Sequence, residues 1–205
     1  MQNEKHLPPD FGRQLDALEL AAIGYLGLPV VVFMLGWLRP PYAAVGTGLF
    51  LFCWFWVLRH RRQIEHPIQP GLILAVTAVA ALWVSLSGLA GDFHLNADWQ
   101  VRMSVLRDLT VGGWPVGYGP VNGQEQILRF PMGYYMVPAL IGKVTGLSGA
   151  YSAIWAWTVL GTGLFLLLVG NAAGRLSRSW LIPVAVAIGF SGMDIIGWLL
   201  FRGQL

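Results

Sequence analysis

Residues 71–109 read GLILAVTAVAALWVSLSGLA followed directly by GDFHLNADWQVRMSVLRDL. The first block carries no charged side chain, whereas the second holds Asp92, Asp98, Arg102, Arg107 and Asp108. A helix of about 20 apolar residues crosses the hydrocarbon core of a bilayer. Lipid-exposed irregular backbone cannot exist inside that core, because its N–H and C=O groups would have no partners. The pair of blocks therefore predicts a membrane helix that delivers a charged segment to the surface.

The rest of the chain agrees. Of 205 residues, 56% are hydrophobic and 11% charged, with a mean hydropathy of +0.60. A soluble domain carries about 25% charged residues, and disorder needs low hydrophobicity with high charge; both classes are excluded. Ten Trp and 26 Gly suit helices that anchor at membrane interfaces and pack closely. Similar apolar runs cover 18–38, 42–58 and 151–170. A fifth starts at Trp180, meets Ser191, Gly192, Met193 and Asp194, and resumes to Phe201. The prediction is an all-α, polytopic membrane bundle of about five spans with outer interfacial helices. Its parts are a leader (1–17), a hairpin with a basic loop (18–66) and a core (67–205). The first run is too long for a signal-peptide core and lies behind a polar leader.

Sidedness follows from Lys and Arg in short loops. Lys5, Arg13, Arg59, Arg61, Arg62, Arg175 and Arg178 fall on one side of a five-span chain, opposite only Arg39 and Arg202. This puts the N-terminus in the cytoplasm and residues 91–150 outside, in the plasma (inner) membrane. A sixth span over 132–147 would weaken that bias and bury Lys143 and Pro138. An interfacial helix is preferred there, with Tyr134, Tyr135, Met136, Val137, Leu140 and Ile141 facing lipid or protein and Lys143 snorkelling.

In the outer segment, the spacing of 102, 105, 106 and 109 predicts a helix. Asp98 is placed to cap it, or to pair with Arg102 one turn on. Gly112-Gly113-Trp114-Pro115 ends it, and 116–123 reads as too irregular for strand or helix. Gly142-Lys143-Val144-Thr145 is not a phosphate loop, because Val137 stands where a glycine is needed. The four His lack metal-ligand spacing, the lone Cys53 has no disulfide partner in the chain, and the Arg residues form no stripe for nucleic acid. An acid at membrane depth is costly, which singles out Asp194; on this topology it reaches the outer face with Asp98.

Asp98-Trp99, Asp108-Leu109 and Trp114-Pro115-Val116, then Tyr134-Tyr135, Gly142-Lys143 and Phe190-Ser191-Gly192-Met193-Asp194, resemble in order the GT-C superfamily of membrane glycosyltransferases. The likeness covers roughly residues 70–200. It implies a polyprenyl-phosphate-linked sugar as donor. It implies Asp98 as base or metal ligand, with Asp92 as competitor, and Asp194 as the second acid; a divalent metal is then a possible cofactor. It also implies Arg102, Arg107 and Arg129 on the lipid phosphate, and Trp114, Tyr118 and Tyr134 against sugar faces. Gln100 and Arg102 depart from the Lys-then-His pair frequent in related sequences. GT-C enzymes are much longer, so the expectation is an N-terminal part or truncated form, completed by a missing C-terminal half or a larger membrane partner. The alternative is a non-catalytic membrane scaffold or subunit.

Overall fold

The computed structural model describes residues 17–59, 70–89 and 97–174, together with the single positions 185 and 189. The chain divides into two compact units, Met1–Pro67 and Ile68–Leu205.

In the first unit, α1 (Ala17–Trp37) and α2 (Pro40–Arg59) form a tight hairpin. Pro40 opens α2, where its missing N–H costs nothing. Small residues on each helix receive large ones from the other. A methyl built on Gly27 would lie 2.1 Å from the Phe50 ring, and one on Gly46 would lie 2.9 Å from the Met34 sulfur. The outward faces stay apolar, with Leu26, Leu35, Leu49, Phe52 and Phe55 all exposed. Such a surface requires an apolar surrounding.

In the second unit, α3 (Pro70–Leu86) ends in a turn where Ser87 N–H donates to the Trp83 and Val84 carbonyls. Gly88 takes φ 79 there, the left-handed residue that stops a helix. α4 (Ala97–Val111) follows, and then a two-stranded antiparallel hairpin, β1 (Gly117–Val121) and β2 (Gln124–Ile127). This corrects the irregular loop expected at 116–123. Asn122 and Gly123 have φ 53 and φ 77, which is the two-residue turn whose twist suits paired strands. A bulge lies between Gly117 and Gly119. Leu128 N–H donates to the Val116 carbonyl, and both side chains are buried, so the hairpin is rooted in the core while its strands face out.

The last element, α5 (Gly133–Gly174), joins the expected interfacial helix to the next apolar run. It is not straight, because Gly146 stands at φ 84 and ψ −179 inside it. Tyr134 and Thr158, 24 residues apart, share a hydroxyl hydrogen bond. A continuous helix would hold them roughly 36 Å apart. The chain therefore reverses at Gly146 into two antiparallel arms, 133–145 and 147–174. A methyl on Gly142 would lie 2.5 Å from Ala150 Cβ and 2.8 Å from Thr110 Cγ2, so the missing side chain lets both the second arm and α4 close in. Of the residues expected to face lipid or protein, Tyr135, Met136 and Val137 are buried in protein, and Leu140 and Ile141 are exposed.

Around the second arm, Ala80, Val84 and Leu89 close on Val159, with Trp99, Met103 and Trp155 against them. Trp155 Nε1–H donates to Ser85 Oγ at 3.1 Å. The end of α3 is thus level with Trp155, and the arms run on past it to Gly146 by about 13 Å. α4 packs beside the arms, its start against the cluster of Ala80, Val84, Leu89 and Val159 and its end near Gly142.

Three helices, α1, α2 and α5, are long and apolar enough to cross a membrane, and α3 is a shorter apolar helix. Apart from positions 185 and 189, the expected span at 180–201 lies outside the described residues.

Gly142→Val should lower the thermal midpoint in detergent by an amount equivalent to about 1–3 kcal/mol of overpacking. Gly163→Ala, which meets nothing within 4 Å, should leave it unchanged.

Candidate functional site

The charged side chains of the second unit gather at the two ends of α4. At its start, Asp98 lies inside the first turn, where a carboxylate suits the free N–H groups. It does not precede the helix as a cap. Its Oδ2 accepts from Arg102 Nε at 2.7 Å, the pairing one turn on that the spacing allows. The two side chains are 60% and 41% exposed, so a ligand can reach both. An exposed pair at this spacing stabilises a helix by only ~0.3–0.5 kcal/mol, and the fold does not depend on it. Arg102 also stands 5.2 Å from the Trp99 ring, which is itself wedged against α3 and the second arm.

Tyr134 and Tyr135 border this end. Their rings meet edge to face at 5.0 Å, and Phe130 packs on Tyr135 at 6.0 Å. The Arg102 charge acts on both phenols, and that of Asp98 on Tyr135. Thr158 Oγ1–H donates to the Ile154 carbonyl at 2.7 Å. A hydroxyl has one proton, so in its bond with Thr158 the Tyr134 hydroxyl is the donor.

The other end of α4 lies ten residues on, about 15 Å along the axis. Here the Tyr118 hydroxyl donates to Asp108 Oδ2 at 2.6 Å, which ties β1 to the helix. Trp114 Nε1–H donates to the Leu109 carbonyl at 2.8 Å. Lys143 Nζ donates to the Gly112 carbonyl at 2.5 Å and stands 4.9 Å from the Trp114 ring.

The candidate residues therefore separate. Asp98 pairs with Arg102, whose charge also reaches Tyr134, while Trp114 and Tyr118 belong to the far end. Arg107 and Arg129 are exposed and have no ion-pair partner among the described residues. Asp92 and Asp194 lie outside the described residues. Among the described residues no three of His, Cys, Asp and Glu gather as metal ligands, and Asp98 faces a guanidinium. The described donor set does not fit a divalent cation.

Sequence reading missed Thr158, Tyr135 and the structural use of Lys143. Nothing in the pattern marks Thr158, because its partner is brought to it only by the reversal at Gly146. The hairpin had a signal in Asn122-Gly123, hidden by flanks that do not alternate apolar and polar residues.

Comparison with protein-family models, curated proteins and solved structures finds no match to this chain.

The Asp108 hydrogen bond, with lesser contributions from burial and the carboxylate charge, pushes the Tyr118 phenol up from 10.0 to about 12. Between those values the folded phenol keeps a proton that the unfolded chain has released. Its contribution to stability is whole below pH 10.0 and is lost as pH rises toward about 12. A phenolate absorbance step near pH 12 should vanish in Tyr118→Phe and move down in Asp108→Ala.

Proposed function

We propose that the chain belongs to an integral membrane glycosyltransferase of GT-C type. It uses a polyprenyl-phosphate-linked sugar at the outer face of the plasma (inner) membrane. The reading includes about five spans, a cytoplasmic N-terminus and residues 91–150 outside. The observation that carries it is the exposed Asp98–Arg102 pair at the start of α4. That end of α4 packs with the end of apolar α3 among Trp99 and Trp155, and the Arg102 charge reaches Tyr134. Tryptophan and tyrosine concentrate where hydrocarbon meets headgroups, the depth at which the phosphate of a lipid-linked sugar lies. The ordered motifs from Asp98-Trp99 to Phe190–Asp194 supply the family reading.

The chemistry proposed for the pair is a displacement at the anomeric carbon. The acceptor oxygen bonds to that carbon, the bond from carbon to phosphate oxygen breaks, and the acceptor proton passes to Asp98. Arg102 offsets the charge left on the lipid phosphate. Both roles require the pair to open when substrate binds, which costs little at an exposed site. Asp194, or Asp92, would serve as the second acid. Arg107, Arg129, Trp114 and Tyr118 would meet more distant parts of donor or acceptor.

The second reading, a non-catalytic scaffold or subunit of a larger complex, is favoured by the same pair in a different light. Asp98 is already neutralised by its own helix neighbour, as an ordinary surface carboxylate would be.

In proteoliposomes given polyprenyl-phosphate sugars, Asp98→Asn should reduce transfer at least 10²-fold, and Arg102→Gln about tenfold or more. Parental transfer rates in Asp98→Asn would overturn the base role. A stoichiometric larger partner, with no transfer by the isolated chain, would favour the scaffold.

A further inference from the structure

Residues 130–142 read FPMGYYMVPALIG and hold no charged side chain, although both flanks, Arg129 and Lys143, are charged. The two flanks lie at one end of the unit. Lys143 donates to the Gly112 carbonyl, and Leu128, next to Arg129, donates through its N–H to Val116, whose side chain lies beside Gly112. The uncharged stretch therefore runs away from that end and returns, turning just before the first arm begins at Gly133. Two contacts fix how far it runs. Gly142 meets Ala150 and Tyr134 bonds to Thr158, so the two arms keep one register down to Tyr134. Trp155 in turn bonds to Ser85, in the last turn of α3. α3 leads into the charged segment and the second arm leads out of it, so the two run antiparallel. Thr158, and Tyr134 with it, then lies about 4.5 Å to the membrane side of Trp155. On α3, Leu82 and Leu86 flank Ser85 and are both exposed. The 17 residues of α3 reach about 25 Å, short of the roughly 30 Å hydrocarbon core. The level of Ser85 is therefore within hydrocarbon, and Tyr134 stands deeper.

We propose that residues 131–133 form a tip that enters the outer leaflet and binds phospholipid. The surface suits that occupant. Pro131 and Gly133 are exposed, Met132 is half-buried, and none of the three is charged. Proline has no N–H to leave unpaired. The Met132 carbonyl accepts from the Tyr135 and Met136 N–H groups at 2.8 and 3.2 Å. The Gly133 and Tyr134 N–H groups open the helix and have no acceptor within it. Unpaired donors are costly among acyl chains, which holds the tip at the depth of the lipid ester oxygens, above the chain ends. The first arm thus starts in the leaflet and stands upright out of it, instead of lying along the surface. The inference needs α3 and the second arm in the membrane and does not rest on the transferase reading.

The test uses the full chain in phosphatidylcholine nanodiscs, with Cys53→Ser removing its only cysteine. A single new cysteine carries a small fluorophore. One variant is Gly133→Cys, where an added methyl meets nothing within 4 Å, and a second is Pro131→Cys. The references are exposed Leu82→Cys on α3 and exposed Val144→Cys, about 16 Å farther out along the first arm. Phospholipid with a nitroxide high on its acyl chain should quench Gly133→Cys and Pro131→Cys as it quenches Leu82→Cys, and should spare Val144→Cys. Aqueous iodide should quench Val144→Cys and spare the other three. Iodide quenching at 131 and 133 equal to that at 144 overturns the proposal. Sparing by both quenchers overturns it too, because protein would then cover the tip. So does a Leu82→Cys label that the lipid nitroxide spares, because that level would then hold no hydrocarbon. Absence of glycosyl transfer would remove the proposed activity and leave this quenching pattern unchanged.

Discussion

At Gly146 the backbone takes φ 84, and a helix that would otherwise run on for 42 residues folds back on itself. A side chain at that position would strain the turn. Four residues to either side, Gly142 and Ala150 meet at a distance that leaves no room for another methyl. Twelve residues to either side, Tyr134 and Thr158 bond through their hydroxyls. The reversal converts an apolar rod into a two-stranded helical wall, and α4 is laid against that wall because Gly142 also admits Thr110. Without it Tyr134 would stand far from Thr158.

The few charges of the second unit are handled by local pairing, and this decides what each can do. Lys143 is drawn to the Gly112 carbonyl and the Trp114 ring, which pins the first arm to the end of α4. Asp108 holds Tyr118 and so fastens the β-hairpin. These contacts tie separate elements together, and breaking them would loosen the fold. The Asp98–Arg102 pair lies within one helix, fastens nothing else and remains open to solvent. A charged pair with no structural duty, at the level where an apolar helix ends, is free for other use.

Much of the helical plan was legible because hydropathy reports the solvent each face must meet. The runs at 18–38, 42–58 and 71–90 correspond to α1, α2 and α3 within a few residues. The spacing of Arg102, Val105, Leu106 and Leu109 identified α4, whose Val105, Leu106 and Leu109 are buried. The hairpin was not legible from alternation, since β2 lies exposed along its length and imposes no period of two. The site was legible in part. Asp98 and Arg102 pair, with the Arg102 charge reaching Tyr134, whereas Trp114 and Tyr118, chosen by residue type, sit a helix length away.

The sequence by itself determined that this chain requires an apolar environment and where its charged segment begins. Those are properties of composition and short-range periodicity, which any conformation must respect. Only the tertiary structure decided which charged and aromatic residues meet. Contacts such as Tyr134 with Thr158, or Lys143 with the Gly112 carbonyl, join residues 24 and 31 positions apart. The first exists because a single glycine can adopt a positive φ and reverse the helix, a choice the local pattern of apolar residues leaves open.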